Sequence, residues 1–246
     1  MSPFRPAPIA TVIGSGLRSV FGAMLLVRRP RPIHPRGRML AGTVRWVGEP
    51  RRTGIDWIDT PPPSGEAPVT ARVSRSVGLP EALPDIFGLA LRVQTGGSAD
   101  GPGQAGSPAQ GTADIEFAST GRAFPLRFAL LPVRRAERAR YGILLPYRGR
   151  RGPVLLSAKT LDGSPTDAAW RLVLAAATPL GRWQPFALIR LQPLSEQTPQ
   201  PRFDAGTRVL PGARMYPWVR AVRQPSYDLV QRESAVASTT TPPPSS

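Results

Sequence analysis

From residue 39 to residue 191 the chain is cut into short runs rich in Val, Ile, Leu and aromatics, separated by Gly, Pro and Asp. That spacing leaves no room for long amphipathic helices and points to an antiparallel sheet or barrel. Eight runs qualify as strands, at 40–47, 69–74, 89–94, 114–118, 124–131, 154–160, 170–177 and 183–191. Two of them, Arg72-Val73-Ser74-Arg75 and Leu89-Ala-Leu-Arg-Val93, alternate in residue type as half-buried strands do. The predicted fold is therefore mostly β with some α: a single antiparallel barrel of about eight strands, with peripheral helices at the N- and C-terminal ends.

The helices are expected around 11–27, where Leu17, Val20, Phe21, Met24 and Leu25 recur at helical spacing, and around 226–232. Residues 8–27 carry Arg18 and several Gly and Ser, so they make a poor membrane span; contact with a membrane surface is their secondary use. The expected organisation is an N-terminal amphipathic arm at 1–29, a barrel domain at 30–233 and a disordered tail at 234–246. Within the domain, 96–112 reads as a Gly-, Pro- and Ser-containing loop and 197–201 as a crossing segment.

Composition removes several chemistries. With no cysteine and a single histidine, the chain has no disulfide, no thiolate metal site, no Cys nucleophile and no multi-histidine zinc or iron centre. The formal charge is +16, carried almost entirely by arginine, with Lys159 the sole lysine. The arginines are scattered and are not interleaved with stacking aromatics, so no specific nucleic-acid partner is expected. Clusters such as Arg134-Arg135 and Arg148-Gly-Arg-Arg151 read as solvated loops. A Gly-x-Ser-x-Gly elbow and a phosphate-cradling Gly-Lys-Ser/Thr loop are both missing, which speaks against a hydrolase such as a phosphodiesterase.

Five segments stand in a telling order: Arg31-Pro-Ile-His-Pro-Arg-Gly37, Ala71-Arg-Val-Ser-Arg-Ser76, Pro84-Asp-Ile-Phe-Gly88, Phe203-Asp-Ala-Gly206 with Leu210-Pro-Gly212, and Arg223-Gln-Pro-Ser-Tyr227. Together they resemble the haem catalase family, over residues 30 to 230 as a minimal core. The resemblance implies a haem b whose iron takes Tyr227 as its axial ligand, with Tyr216 as the rival tyrosine. Tyrosine is a known axial ligand of catalase haem. A free phenol ionises near ~10, and Arg223 is the cation that would favour the phenolate.

On the distal side the resemblance implies His34 as the proton carrier, with Ser74 hydrogen-bonded to it. Arg31 and Arg72 would grip the propionates through charge-assisted contacts. The family's distal asparagine has no counterpart in Asp114-Ile-Glu-Phe-Ala-Ser-Thr-Gly121, where Ser119 or Thr120 is the stand-in hydroxyl. The expected activity is reduction of hydrogen peroxide or organic hydroperoxides by a cytoplasmic, peroxidase-type haem protein. The alternative is a haem-free basic β-barrel that binds nucleic acid or anionic lipid.

Overall fold

A computed structural model describes residues 37–49, 52–95, 111–195, 201–217 and 219, all inside the compact unit Ile33–Pro225. The N-terminal arm, both terminal helices, the tail, most of the 96–112 insertion and most of the crossing segment lie outside these residues.

The described strands are β1 (Arg38–Trp46), β2 (Glu66–Arg75), β3 (Phe87–Gln94), β4 (Thr112–Ser119), β5 (Arg140–Gly142), β6 (Tyr147–Gly149), β7 (Gly152–Asp162), β8 (Trp170–Ala177), β9 (Gln184–Pro193) and β10 (Arg214–Met215). Eight of them close into an antiparallel barrel in the order β1-β2-β3-β4-β5-β7-β8-β9, with β9 returning to β1. β6 and β10 form a ribbon on the first half of β7. The short α-helix α1 (Asp56–Asp59) carries Trp57, which packs edge-on against Trp46 and Phe186 at centroid distances of 5.1 and 5.8 Å, and the described residues Pro217 and Val219 are also helical.

One expected strand is corrected. Residues 124–131 form a loop holding a 3-10 turn at Leu126–Phe128, and the barrel strand in that part of the chain is the three-residue β5. Two local features decide against pairing. Pro125 has no N–H to give a ladder, and Arg127 turns inward, where its Nη1 donates to the carbonyls of Thr178, Pro179 and Gly181 at 3.1 Å each. Its guanidinium also lies over the Trp183 ring, 4.9 Å from the centroid.

Strand alternation sends one phase inward. Leu40, Ala71, Leu91 and Ile115 are register partners across β1 to β4 and are all fully buried, as are Tyr141, Trp170 and Leu172 across β5 to β8. Each large apolar side chain sealed in this way contributes about 1.5–3 kcal/mol, which makes the packed interior the main source of stability. The opposite phase of β2, β3 and β4 carries Arg72, Ser74, Arg92, Asp114 and Glu116.

Tyr141 places a polar group inside. Its hydroxyl donates to the Ala136 carbonyl at 2.9 Å and its ring meets Trp170 edge-on. Burial, with the nearby Glu137 charge adding to it, pushes its phenol far above the usual value. The unfolded chain ionises this group near ~10 while the folded chain keeps the proton, so stability falls as pH rises above that point. Tyr141→Phe is expected to cost about 1 kcal/mol at pH 7 through the lost hydrogen bond. It should also decline less steeply above pH 10; urea unfolding across that range checks both, and an identical slope for variant and parent would contradict the assignment.

Candidate functional site

The site residues expected from sequence divide into two groups. His34, Arg31, Arg223 and Tyr227 lie outside the described residues. Arg72, Ser74 and Ser119 are described, and the register of the barrel separates them. Arg72 and Ser74 are two apart on β2 and share its outer face, where an Arg72 Nη1 to Ser74 Oγ distance of 3.4 Å brings the two groups together. Ser119 belongs to the inward phase of β4 with Ile115 and Phe117 and is fully buried. Its Oγ donates to the Leu131 carbonyl at 2.7 Å and accepts from the Phe87 N–H at 3.1 Å, joining β3 to the loop after β4. Its hydroxyl is thus engaged inside the barrel wall.

Thr120, the other hydroxyl in that segment, lies on the outer side. A Cβ built on Gly142, whose position continues the outer row, would stand 2.5 Å from Thr120 Oγ1. The alternation of Ile115 and Phe117 was the signal that distinguishes the two, since it puts 119 inside and 120 outside.

The outer face of β2 to β5 has a distinctive floor. In one row Ser74 faces Gly88, Gly88 faces Ala118, and Ala118 faces Gly142. Three interstrand steps of about 4.8 Å give this row a width of roughly 14 Å. In the next row Arg72 faces Ala90, and Ala90 faces Glu116. Small side chains therefore leave the sheet's own backbone close to the surface, bordered by one guanidinium and one carboxylate. Arg72 also lies across Gly37, where an added Cβ would be 2.4 Å from its Nε. Burial pulls the Arg72 pKa below the usual arginine value, as expected for a guanidinium withdrawn from water against the wall.

Tyr216, the rival tyrosine, follows β10. Burial raises its phenol more than the charge of Arg148 lowers it, so it is a neutral phenol at pH 7. Among the described residues no group of three or more His, Cys, Asp or Glu is placed to hold a metal ion.

The motif segments around the site have structural work. Asp85 is buried and accepts N–H groups from Val77, Gly78 and Leu79 at 2.9–3.1 Å, with Arg75 Nε at 3.3 Å. Asp114 is fully buried on the outer side of β4. Arg92 grips it with two bonds of 2.7 Å, and the Asp204 N–H donates to it at 2.7 Å. Arg92 in turn donates to the Arg202 carbonyl and stacks on Phe203, 5.1 Å from the ring centroid. Phe203-Asp-Ala-Gly206 is thereby docked on β3 and β4.

With this geometry in view, the relation to known proteins is one of fold. No protein-family model and no curated protein matches the sequence. Among solved structures, a bacterial catalase is similar with a TM-score of 0.50 and 14% identity, covering 94% of this chain and 61% of that one. Catalase A from Saccharomyces cerevisiae gives a TM-score of 0.49 at 12% identity, covering 92% of this chain and 64% of the other. The chain spans less than two thirds of either catalase. The barrel is a catalase-like fold.

Asp114→Ala tests the docking of the 201–211 segment. Removing one partner of a buried pair costs about 3–5 kcal/mol, and the partial exposure of Arg92 puts this one near the lower end. Trypsin cleavage at Arg202 and Arg208 should accelerate together with the loss of stability. Unchanged unfolding and unchanged cleavage would contradict the clamp.

Proposed function

We propose that this chain binds haem b against the outer face of its barrel and reduces hydrogen peroxide or organic hydroperoxides. The observation that carries the reading is the pairing of Arg72 with Ser74 beside the Gly88, Ala118 and Gly142 floor, on a barrel whose fold is catalase-like. A flat group with acidic substituents suits that surface. At Gly88 and Ala118 the floor carries only small side chains, with Thr120 covering the Gly142 end, and Arg72 is a partly desolvated cation at its border, where charge-assisted bonds to carboxylates are strong.

In this reading Arg72 and Arg31 hold the propionates, Tyr227 is the iron ligand and Arg223 keeps its phenolate charged. Bound haem would supply the redox-active iron for cleaving the peroxide O–O bond, the two electrons of the net reduction coming from an external organic reductant that is oxidised in turn. The chain's own contribution is proton handling and placement. His34 takes a proton from one peroxide oxygen and returns it to the other, while Ser74 fixes the imidazole's orientation. Thr120, buried against Gly142, is the hydroxyl of that segment on the outer side of the wall.

Titrating the full chain with haemin while recording absorbance tests the proposal. A saturable Soret band with a tyrosinate charge-transfer feature is expected, and Tyr227→Phe should remove that feature. Arg72→Gln should weaken haemin binding about tenfold, in line with the ~1.5–3 kcal/mol of a hydrogen bond to a charged group. A spectrum of added haemin that is the same with and without the protein would overturn the proposal.

A further inference from the structure

A second concave site lies on the ribbon outside the barrel, and it involves none of the residues assigned to haem. We propose that the cleft between α1, the β6–β7 hairpin and β10 binds a small phosphate monoester, held by Arg148 and Arg214. The cleft has a volume of about 470 Å³, and Asp56, Arg148, Arg150, Gly212 and Arg214 line it.

The argument begins with register. β10 pairs antiparallel with β6 so that Arg214 stands directly opposite Arg148. Like charges at opposed positions destabilise a strand pair unless something lies between them. Neither arginine forms an ion pair with a described residue. The one carboxylate of the lining, Asp56, is already engaged by Arg150. Three arginines against one aspartate leave a surplus of positive charge, and an entering dianion would offset it.

Geometry narrows the ligand class. Opposed residues of an antiparallel pair have Cα atoms about 4.5–5.5 Å apart. Both arginines are exposed, and two guanidiniums rooted so close together can reach one compact group, which suits a phosphoryl dianion better than two separated carboxylates. Arginine's planar fork matches phosphate oxygens two at a time.

The cleft is also built rigidly, so little ordering cost falls on binding. Asp59 accepts from Thr53 N–H, Thr53 Oγ1–H and Gly54 N–H, which fixes the loop ahead of α1. That loop meets the hairpin through the Arg150 N–H to Gly54 carbonyl bond of 3.0 Å. Gly54 has a φ of +82°, and a Cβ there would lie 2.6 Å from Arg150 N. On the other wall Gly212 has a φ of +77° and would place a Cβ 2.4 Å from Asp56 N. Only glycine lets these three backbones approach so closely.

The experiment is isothermal titration of the full chain, without haemin, using inorganic phosphate and glycerol 3-phosphate, with sodium chloride at matched ionic strength as the control. One saturable site is expected, weakened at least tenfold in Arg148→Gln and in Arg214→Gln, with Arg214→Lys intermediate. Thermal unfolding supplies an independent reading. Arg214→Gln should melt at a higher temperature than the parent without phosphate, because the like-charge pair is gone, and should lose the rise that phosphate gives the parent. Equal binding by parent and glutamine variants would overturn the proposal, as would malonate binding more tightly than phosphate. Binding to phosphatidate vesicles with no binding of the free phosphates would overturn it in favour of adsorption by a basic surface.

Discussion

Pairing of β7 with β8 closes the sheet, and the placement of every polar group follows from that closure. β7 is the shared strand: one of its edges serves β6 and then β5, and the other serves β8. Once the ring is shut, the inward phase must be filled by side chains, and here it is filled by hydrocarbon with Tyr141 and Trp170 in edge contact. Among the described residues the inward phase is thus closely packed, and the polar side chains of β2, β3 and β4 stand mainly on the outer wall.

The loops against that wall are secured by a few buried charges: Asp85 and Asp114 accept several donors each, while Arg127 bonds through Nη1 and its buried Nε has no hydrogen-bond partner. Asp85 collects the amides of the 77–79 turn, Asp114 receives Arg92 and the 204 amide, and Arg127 collects three carbonyls of the 178–181 turn. Asp85 falls in one segment through which the sequence resembles catalases, Pro84-Asp-Ile-Phe-Gly88, and Asp114 holds another, Phe203-Asp-Ala-Gly206. Much of that resemblance is thus carried by residues that hold the wall and its covering segment together. Of the residues proposed to meet a haem, Arg72 and Ser74 are the ones whose positions are described.

The barrel was legible in the sequence because its strands are long enough to show alternation: Val69, Ala71 and Val73 on β2, and Leu89, Leu91 and Val93 on β3, write the inward phase openly. Residues 124–131 misled because their apolar content comes from Phe124 and Leu126, which stay exposed beside an arginine that turns inward. Conversely, β5 has three residues and too little pattern to announce itself. Ser119 could have been placed by counting from Phe117, whereas the residue chemistry alone suggested a catalytic hydroxyl. The Arg148 and Arg214 cleft was illegible for a different reason. It depends on a pairing between positions 66 apart, and a string of arginines after Tyr147 looks like an ordinary solvated turn until that register is known.

In the proposed reading, the outer floor of Gly88 and Ala118 bordered by Arg72 is the surface that a planar acidic cofactor would face. The most direct measurement is an electron-density map from crystals of the full chain grown with haemin. The account predicts flat density over Gly88 and Ala118 with a carboxylate against the Arg72 guanidinium. Density for haemin at any other surface, or within the barrel, would contradict it.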